Sequence, residues 1–348
     1  MTGTAFVIGA SGQIGRQAVR ALAADGWRVT AASRGGGADE SWPEGVRTVR
    51  VDRADDAALA AALGDGCDVL LDCVAYDAGH ARQLLALSGR IGSAVVISSA
   101  AVYQDERGNS FDTQDEPGGQ PRYPVPAPET LDTVAPGPAT YGTRKVELER
   151  LLLAAGDRLP TTLLRAGAIH GRHSPLPREL FFAKRALDGR PVRVLAYGGA
   201  SRFHPVHVSN LAELVRLASH RPGSRVLNAG DPAVPTVADI AAAVDAVLGA
   251  RSEQVLLAGP AGKDGVGDHP WALEHPMVLD MASAERELGY RPVTTYEQSL
   301  PGTVEWLASA GAAERWRELF PLVARLSDEH GDWFDYAAED AWLASSAG

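Results

Sequence analysis

The feature that most constrains this chain lies at its start. An apolar run from Thr4 to Ile8 leads into Gly9-Ala-Ser-Gly12-Gln-Ile-Gly15, and an alanine-rich amphipathic run from Arg16 to Asp25 follows. A strand ending in glycines that open a helix, with a second apolar run at Trp27–Ala32, predicts the opening βαβ unit of a dinucleotide-binding fold. Each glycine has a mechanical task. Gly9 turns the chain off the strand, Gly12 lets the backbone approach a pyrophosphate, and Gly15 lets the helix lie close to the strand. The bound anion then faces free N–H groups at the positive end of the helix.

The pattern repeats downstream. Predicted strands at 46–51, 68–72, 94–97 and 161–165 alternate with predicted helices at 55–63, 80–88 and one beginning near Thr140. Such alternation implies a doubly wound, Rossmann-like parallel sheet with right-handed crossovers, whose ligands bind at the carboxyl ends of the strands. After His170-Gly171 the rhythm breaks, as expected of a smaller, interleaved C-terminal substrate domain. The expected division is 1–168 and 203–235 for dinucleotide binding, and 169–202 and 236–311 for substrate. A tail at 312–348 is rich in aromatics (Trp316, Phe320, Trp333, Phe334, Tyr336, Trp342) and is expected to pack on the body or on a partner subunit. Between Gln104 and Ala139 periodicity is lost among Pro, Gly and acids. A stretch that long without regular structure is expected to be functional, here a loop at the rim of the cleft.

Composition narrows the partners. A chain of 348 residues with 45% hydrophobic content can bury a large core. A net charge of −11 argues against nucleic acid or an anionic membrane, both of which reward clustered Lys and Arg. No apolar run approaches the roughly 20 residues that span a bilayer, and no signal peptide is visible, so a cytoplasmic location is expected. Cys67 and Cys73 flank one predicted strand and lack metal-site spacing; no metal is expected. The expected partner is a small-molecule substrate, and homodimerisation is left open.

Two local patterns carry chemistry. About 20 residues past the glycine turn, where an acid would grip the ribose 2′-OH of NAD, stand Ser33 and Arg34, which suit the 2′-phosphate of NADP. Tyr141 and Lys145 are four apart, hence on one face of a helix. An ammonium there would draw the phenol pKa from about 10 towards neutrality. A phenol so tuned exchanges a proton with a substrate oxygen while a nicotinamide exchanges a hydride. Ser99, at the end of the fifth strand, would hydrogen-bond the same oxygen. His204 and His207 are expected to be core or supporting residues.

In this order the motifs resemble the extended short-chain dehydrogenases/reductases, the NAD(P)-dependent epimerase/dehydratase group. The resemblance extends over residues 1 to about 308 through Gly9-xx-Gly12-xx-Gly15, Asp52, Ser98-Ser99-xx-Val102-Tyr103, Tyr141-xxx-Lys145, Arg165-xxx-Ile169-His170-Gly171, His207-Val-Ser-Asn-Leu-Ala212 and Leu288-Gly-Tyr-Arg-Pro292. It implies a catalytic set of Ser99, Tyr141 and Lys145. Cofactor contacts would come from Gly9, Ser11, Gly12, Gln13, Ile14, Gly15, Ser33, Arg34, Asp52, Arg53, Val74, Ala75, Tyr76, Lys145 and Ala168. Tyr103, His170 and Arg202 are the implied substrate contacts.

The departures are informative. Sugar 4,6-dehydratases of this group carry Asp-Glu after the catalytic Ser/Thr; here Ala100 and Ala101 stand there, which argues against dehydration. His170 replaces a Tyr, Ser209-Asn210 replaces an acid pair, and the insertion before Tyr141 is long. The expected activity is transfer of a hydride between NADP(H) and a secondary alcohol or ketone of a small polar substrate, a nucleotide sugar among the candidates. Net reduction and epimerisation both remain open. The alternative is a non-catalytic NADP-binding regulator or RNA-associated relative of the same fold.

Overall fold

The computed structural model describes residues 3–262 and 265–346. The chain begins with β1 (Gly3–Ile8), α1 (Gln13–Ala24), β2 (Trp27–Ser33), β3 (Arg47–Arg50), α2 (Asp56–Leu63), β4 (Cys67–Asp72), α3 (Ala78–Ala86) and β5 (Ile91–Ser99). Next come α4 (Tyr141–Leu153), β6 (Thr161–Ala166), β7 (Ala168–His170), α5 (Leu180–Leu187), β8 (Val192–Leu195), β9 (Pro205–His207), α6 (Val208–His220) and β10 (Arg225–Ala229). The last elements are α7 (Val237–Leu248), β11 (Glu253–Leu256), α8 (Ala282–Leu288), α9 (Tyr296–Ser309), α10 (Ala312–Leu319), α11 (Pro321–His330) and α12 (Tyr336–Ser346). None of the described helices is long and apolar enough to cross a membrane.

Seven strands form one sheet in the order β10-β6-β5-β4-β1-β2-β3, with every neighbouring pair parallel. Side chains alternate across the pleat. Ala5, Val7, Val69 and Leu71 face α1, α6 and α8, while Phe6, Ile8, Leu70 and Val96 face α2, α3 and α4. Both faces are therefore apolar, as a parallel sheet covered by helices requires. The strand order reverses at β1, between β2 and β4, and this is where the glycine turn emerges.

The chain divides into two compact units. The first runs to Ile169 and adds Val206–Asp231 and Leu279–Thr294; the second comprises His170–Pro205, Pro232–Val278 and the chain from Thr295 on. Residues 279–294, grouped above with the substrate domain, thus belong to the first unit. The reason is packing: Ala284 and Leu288 of α8 close the apolar face beside Leu227 of β10. His204, expected to be a core or supporting residue, is buried just ahead of β9, a strand outside the seven-stranded sheet.

In the second unit β8 and β11 form a small parallel pair, and α5 packs on α7, α9 and α10. The aromatic tail docks on this unit's own helices. Trp316 meets Phe334 edge to face at 4.9 Å, and Arg185 of α5 donates to Glu339 Oε2 of α12 at 2.7 Å and to the Trp333 carbonyl at 2.8 Å.

Candidate active site

The glycine turn is built as its sequence implies. A Cβ at Gly15 would stand 2.3 Å from the Gly9 carbonyl oxygen and 2.6 Å from Ala10 Cα, so only glycine lets α1 lie this close to the end of β1. Gly12 caps α1 without a side-chain hydrogen bond, and Ser11 and Gly12 are exposed. With no side chain capping the positive end of α1, the exposed turn fits a dinucleotide pyrophosphate.

Tyr141 is the first residue of α4, and Lys145 and Glu149 follow on the same face. A Cβ at Gly142 would lie 2.6 Å from the Ala101 carbonyl oxygen; glycine here allows α4 to begin directly against the turn after β5. This contact brings the Ser99 hydroxyl beside the Tyr141 phenol, near enough to act on its pKa, while Ser99 Oγ accepts the Ala101 N–H at 3.1 Å. Lys145, only 3% exposed, donates to the carbonyl oxygens of Ala75 at 2.5 Å and Ile97 at 2.9 Å, tying together the ends of β4 and β5. Its Nζ lies 5.1 Å from the centre of the Tyr76 ring and 5.6 Å from that of Tyr141. Ser99, Tyr141 and Lys145 are thus together at the carboxyl edge of the sheet.

The tuning differs from the expectation. Tyr141 keeps 41% of its surface exposed, but burial of its phenol end pushes the pKa up to about 12, against which the Ser99 hydroxyl works. Lys145 does not pull the phenol towards neutrality, because its ammonium is directed at two backbone carbonyls. Burial in turn brings the Lys145 pKa down to about 8, opposed by the charge of Asp72.

The remaining predicted residues separate into two groups. Gln13 is buried, Ile14 part-buried and Ala168 buried beside the sheet, while Arg34 is exposed just beyond the end of β2. The Ser33 hydroxyl accepts the Gly36 N–H at 3.1 Å and shapes the turn there. Asp52 is exposed and accepts from the Ala54 N–H at 3.0 Å. Arg202 is exposed. Arg53, expected to touch cofactor, instead donates to Asp72 Oδ2 at 2.6 Å and Gln83 Oε1 at 2.8 Å: the buried Asp72 carboxylate at the end of β4 captures its guanidinium. Val74 lies beside them, its N–H on Asp72 Oδ1 at 2.9 Å.

Two expected substrate contacts lie inside the fold. Tyr103 is fully buried, its hydroxyl donating to Asn228 Oδ1 at 2.7 Å and its ring lying 4.8 Å beneath the Arg165 guanidinium. His170 is 2% exposed, with its ring 4.7 Å from that of Tyr296.

The insertion at 104–139 is an ordered loop. Asp105 holds it from within, its carboxylate accepting the N–H groups of Arg107, Asn109 and Arg122 at 2.8, 2.9 and 2.8 Å. Asp112 reaches α4, where its Oδ2 accepts the Thr140 hydroxyl at 2.6 Å. Sequence reasoning also missed Glu149. This residue accepts from the Ser98 hydroxyl at 2.5 Å and from Arg165 Nη2 at 2.6 Å, and its spacing of four from Lys145 could have revealed it.

A glycine turn at the switch point of a parallel sheet, with Ser, Tyr and Lys gathered at neighbouring strand ends, defines a doubly wound α/β protein of the extended short-chain dehydrogenase/reductase class. Within that class, the family model described as the NAD dependent epimerase/dehydratase family matches residues 5–230, and the chain belongs to this family. It is 32% identical over 238 residues to the 2′-dehydrokanamycin reductase of Streptomyces kanamyceticus, an alignment spanning 62% of each chain and so under two thirds of that reductase. Among solved structures it is similar to the Thermus thermophilus UDP-glucose 4-epimerase in complex with NAD, with 23% identity, TM-score 0.65, and coverage of 88% of this chain and 99% of that one. The Methanobrevibacter ruminantium UDP-N-acetylglucosamine 4-epimerase gives 18% identity, TM-score 0.68 and coverage of 88% and 99%. These two likenesses establish the fold.

Proposed function

We propose that the protein is an NADP(H)-dependent reductase of a ketone on a small polar substrate, a nucleotide sugar among the candidates, with Tyr141 as proton donor. The observation that carries this reading is the grouping of Tyr141, Ser99 and Lys145 at the carboxyl edge of the sheet that bears the glycine turn. When bound, the nicotinamide supplies a hydride. Tyr141, with a pKa near 12, keeps its proton at neutral pH and donates it to the oxygen of the reduced carbonyl. Ser99 holds that oxygen by a hydrogen bond that strengthens as charge develops on it. Lys145 fixes the ends of β4 and β5 and offers its ammonium to the ribose of the nicotinamide half.

A protonated phenol favours the reductive direction, and the reductase among its relatives agrees with this. Ala100 and Ala101 argue against dehydration. The preference for NADP rests on exposed Arg34, in a position where an acid would favour NAD. The protein is further proposed to act in the cytoplasm on a small molecule, with neither nucleic acid nor membrane as partner.

Nicotinamide absorbance with a panel of ketones tests the reading. Tyr141→Phe should lower turnover by roughly 10²- to 10⁴-fold, the usual weight of general acid catalysis, while NADPH affinity holds. Retained turnover in that variant would overturn the assignment.

A further inference from the structure

The peptide unit between Ala75 and Tyr76, just beyond the end of β4, is bonded on both sides. Its carbonyl oxygen accepts from Lys145 Nζ at 2.5 Å, and its N–H donates to Nδ1 of His80, in the first turn of α3, at 2.9 Å. An amide N–H only donates, so Nδ1 carries no proton and His80 is the neutral imidazole with its hydrogen on Nε2. One planar peptide thus joins Lys145 to a histidine that none of the sequence motifs contains.

We infer that His80 is a positioning residue of the reaction: as a neutral imidazole it orients the Ala75–Tyr76 peptide so that the carbonyl faces the Lys145 ammonium, and its protonation releases that peptide. Both hydrogen bonds act on one dipole. An ammonium drawing on the carbonyl makes the N–H a stronger donor, and an acceptor at the N–H makes the carbonyl a better partner for the ammonium. Because the unit is planar, losing the acceptor lets both groups turn together. The Tyr76 ring follows its backbone. It is 49% exposed and lies 5.1 Å from Lys145 Nζ, the nitrogen that the Tyr141 ring approaches to 5.6 Å.

A second partner for the imidazole is in place. Asp77 Oδ1 caps α3 by accepting the His80 backbone N–H at 3.1 Å, and it stands 3.5 Å from Nδ1. A protonated ring has donors on both nitrogens, so Nδ1 would give up the Tyr76 N–H and turn to Asp77. The groups facing the ring set the balance. Burial opposes its charge, as do Arg53 beyond β3 and Lys145 on α4, while Asp77 and Asp72 favour it; the Tyr76 ring lies 6.3 Å away. The sum lowers the His80 pKa from its ordinary value, which leaves the peptide-holding form in place at neutral pH.

Amide hydrogen exchange of Tyr76, followed by NMR and corrected for the intrinsic rate, reads the hydrogen bond itself. His80→Leu should speed exchange about tenfold at neutral pH, whereas His80→Asn, whose Oδ1 replaces Nδ1 as acceptor, should keep most of the protection. In the wild type the protection should be lost as the pH falls below the ordinary histidine value of 6.5, and His80→Asn should keep it. Unchanged exchange at core amides of β5 reports that the variants are folded. His80→Leu should also lower the Lys145 pKa, read from the Cε shift of labelled lysine. Equal Tyr76 exchange in all three proteins, or a Lys145 titration unmoved in His80→Leu, would overturn the coupling.

The consequence for turnover rests on the reductase reading. With NADPH and a panel of ketones, His80→Leu should lower kcat about tenfold and His80→Asn should restore most of it. The wild type should show an acid limb in kcat that His80→Asn lacks. Unchanged kcat in His80→Leu, or an acid limb that persists in His80→Asn, would overturn the positioning role. If the wild type reduces no ketone, the reductase reading fails, and the exchange and lysine titrations still decide whether His80 holds the peptide.

Discussion

Arg165 and Arg178 each lie against an aromatic ring, one in each unit, and their surroundings differ. Arg165 lies over Tyr103 and is clamped by Glu149, which also takes the Ser98 hydroxyl. Burial alone would lower its pKa, but the hydrogen-bonded charge of Glu149 outweighs this and raises it. Arg178 has the rings of Phe203 and Trp271 and, among the described residues, lacks the carboxylate, and its pKa falls. A buried cation whose partner is built into the fold holds elements together, here α4 against β5 and β6.

The largest expected effect tests that contrast directly. Glu149→Ala would leave Arg165 buried and uncompensated, which should cost about 3–5 kcal/mol of stability. Arg178→Gln, removing a cation that no carboxylate balances, should change stability by under about 1 kcal/mol in either direction. Urea unfolding of both variants gives the comparison. Similar losses would mean that Arg178 is structural too, and the contrast would collapse.

Lys145 falls between the two arginines, since its ammonium is met by carbonyl oxygens rather than a carboxylate. Its folded pKa of about 8 lies below the ordinary lysine value. Between pH 8 and roughly 10.4 the unfolded chain therefore holds a proton that the folded chain has released, and stability rises with pH across that window. The shift corresponds to about 3 kcal/mol, and Lys145→Met should remove this rise. Urea unfolding of wild type and variant at pH 7.5 and pH 10 measures it. A difference between the two proteins that stays flat with pH would show that the carbonyl pair keeps the lysine charged throughout.

These contrasts also mark how far the sequence could be read. The glycine turn and the Tyr141–Lys145 pair were legible because each lies within one turn or helix, where spacing alone sets the geometry. Spacing gave the shared face of α4 but not the direction of Lys145 Nζ, which is fixed by carbonyls on β5 and after β4. Hence spacing alone points to a lowered Tyr141 pKa, whereas burial raises it. Motif position alone points Arg53 and Tyr103 at ligands, whereas Asp72, Gln83 and Asn228, all distant in sequence, take their polar groups. Arg178 and Trp271 are likewise far apart in the chain and meet only through the packing of the second unit. Leu279–Thr294 joined the first unit for a similar reason, an apolar helix face that periodicity alone cannot direct to a particular neighbour.

The smallest expected effect concerns a cation of a third kind. Arg34 is exposed beyond β2, free of the burial that acts on Arg165 and Arg178, so its removal should leave stability within about 0.5 kcal/mol. Its worth should appear only with a ligand. If Arg34 meets the 2′-phosphate of NADP, Arg34→Asp exchanges an attraction for a repulsion there and offers an acceptor to a free ribose hydroxyl instead. The ratio of kcat/KM for NADPH over NADH should then fall about tenfold, near 1.4 kcal/mol, and the fall should shrink as salt screens the exposed charge. An unchanged ratio would remove Arg34 from cofactor choice. The neighbouring Ser33 hydroxyl accepts the Gly36 N–H and keeps its own O–H as a donor, so the preference would then rest on Ser33.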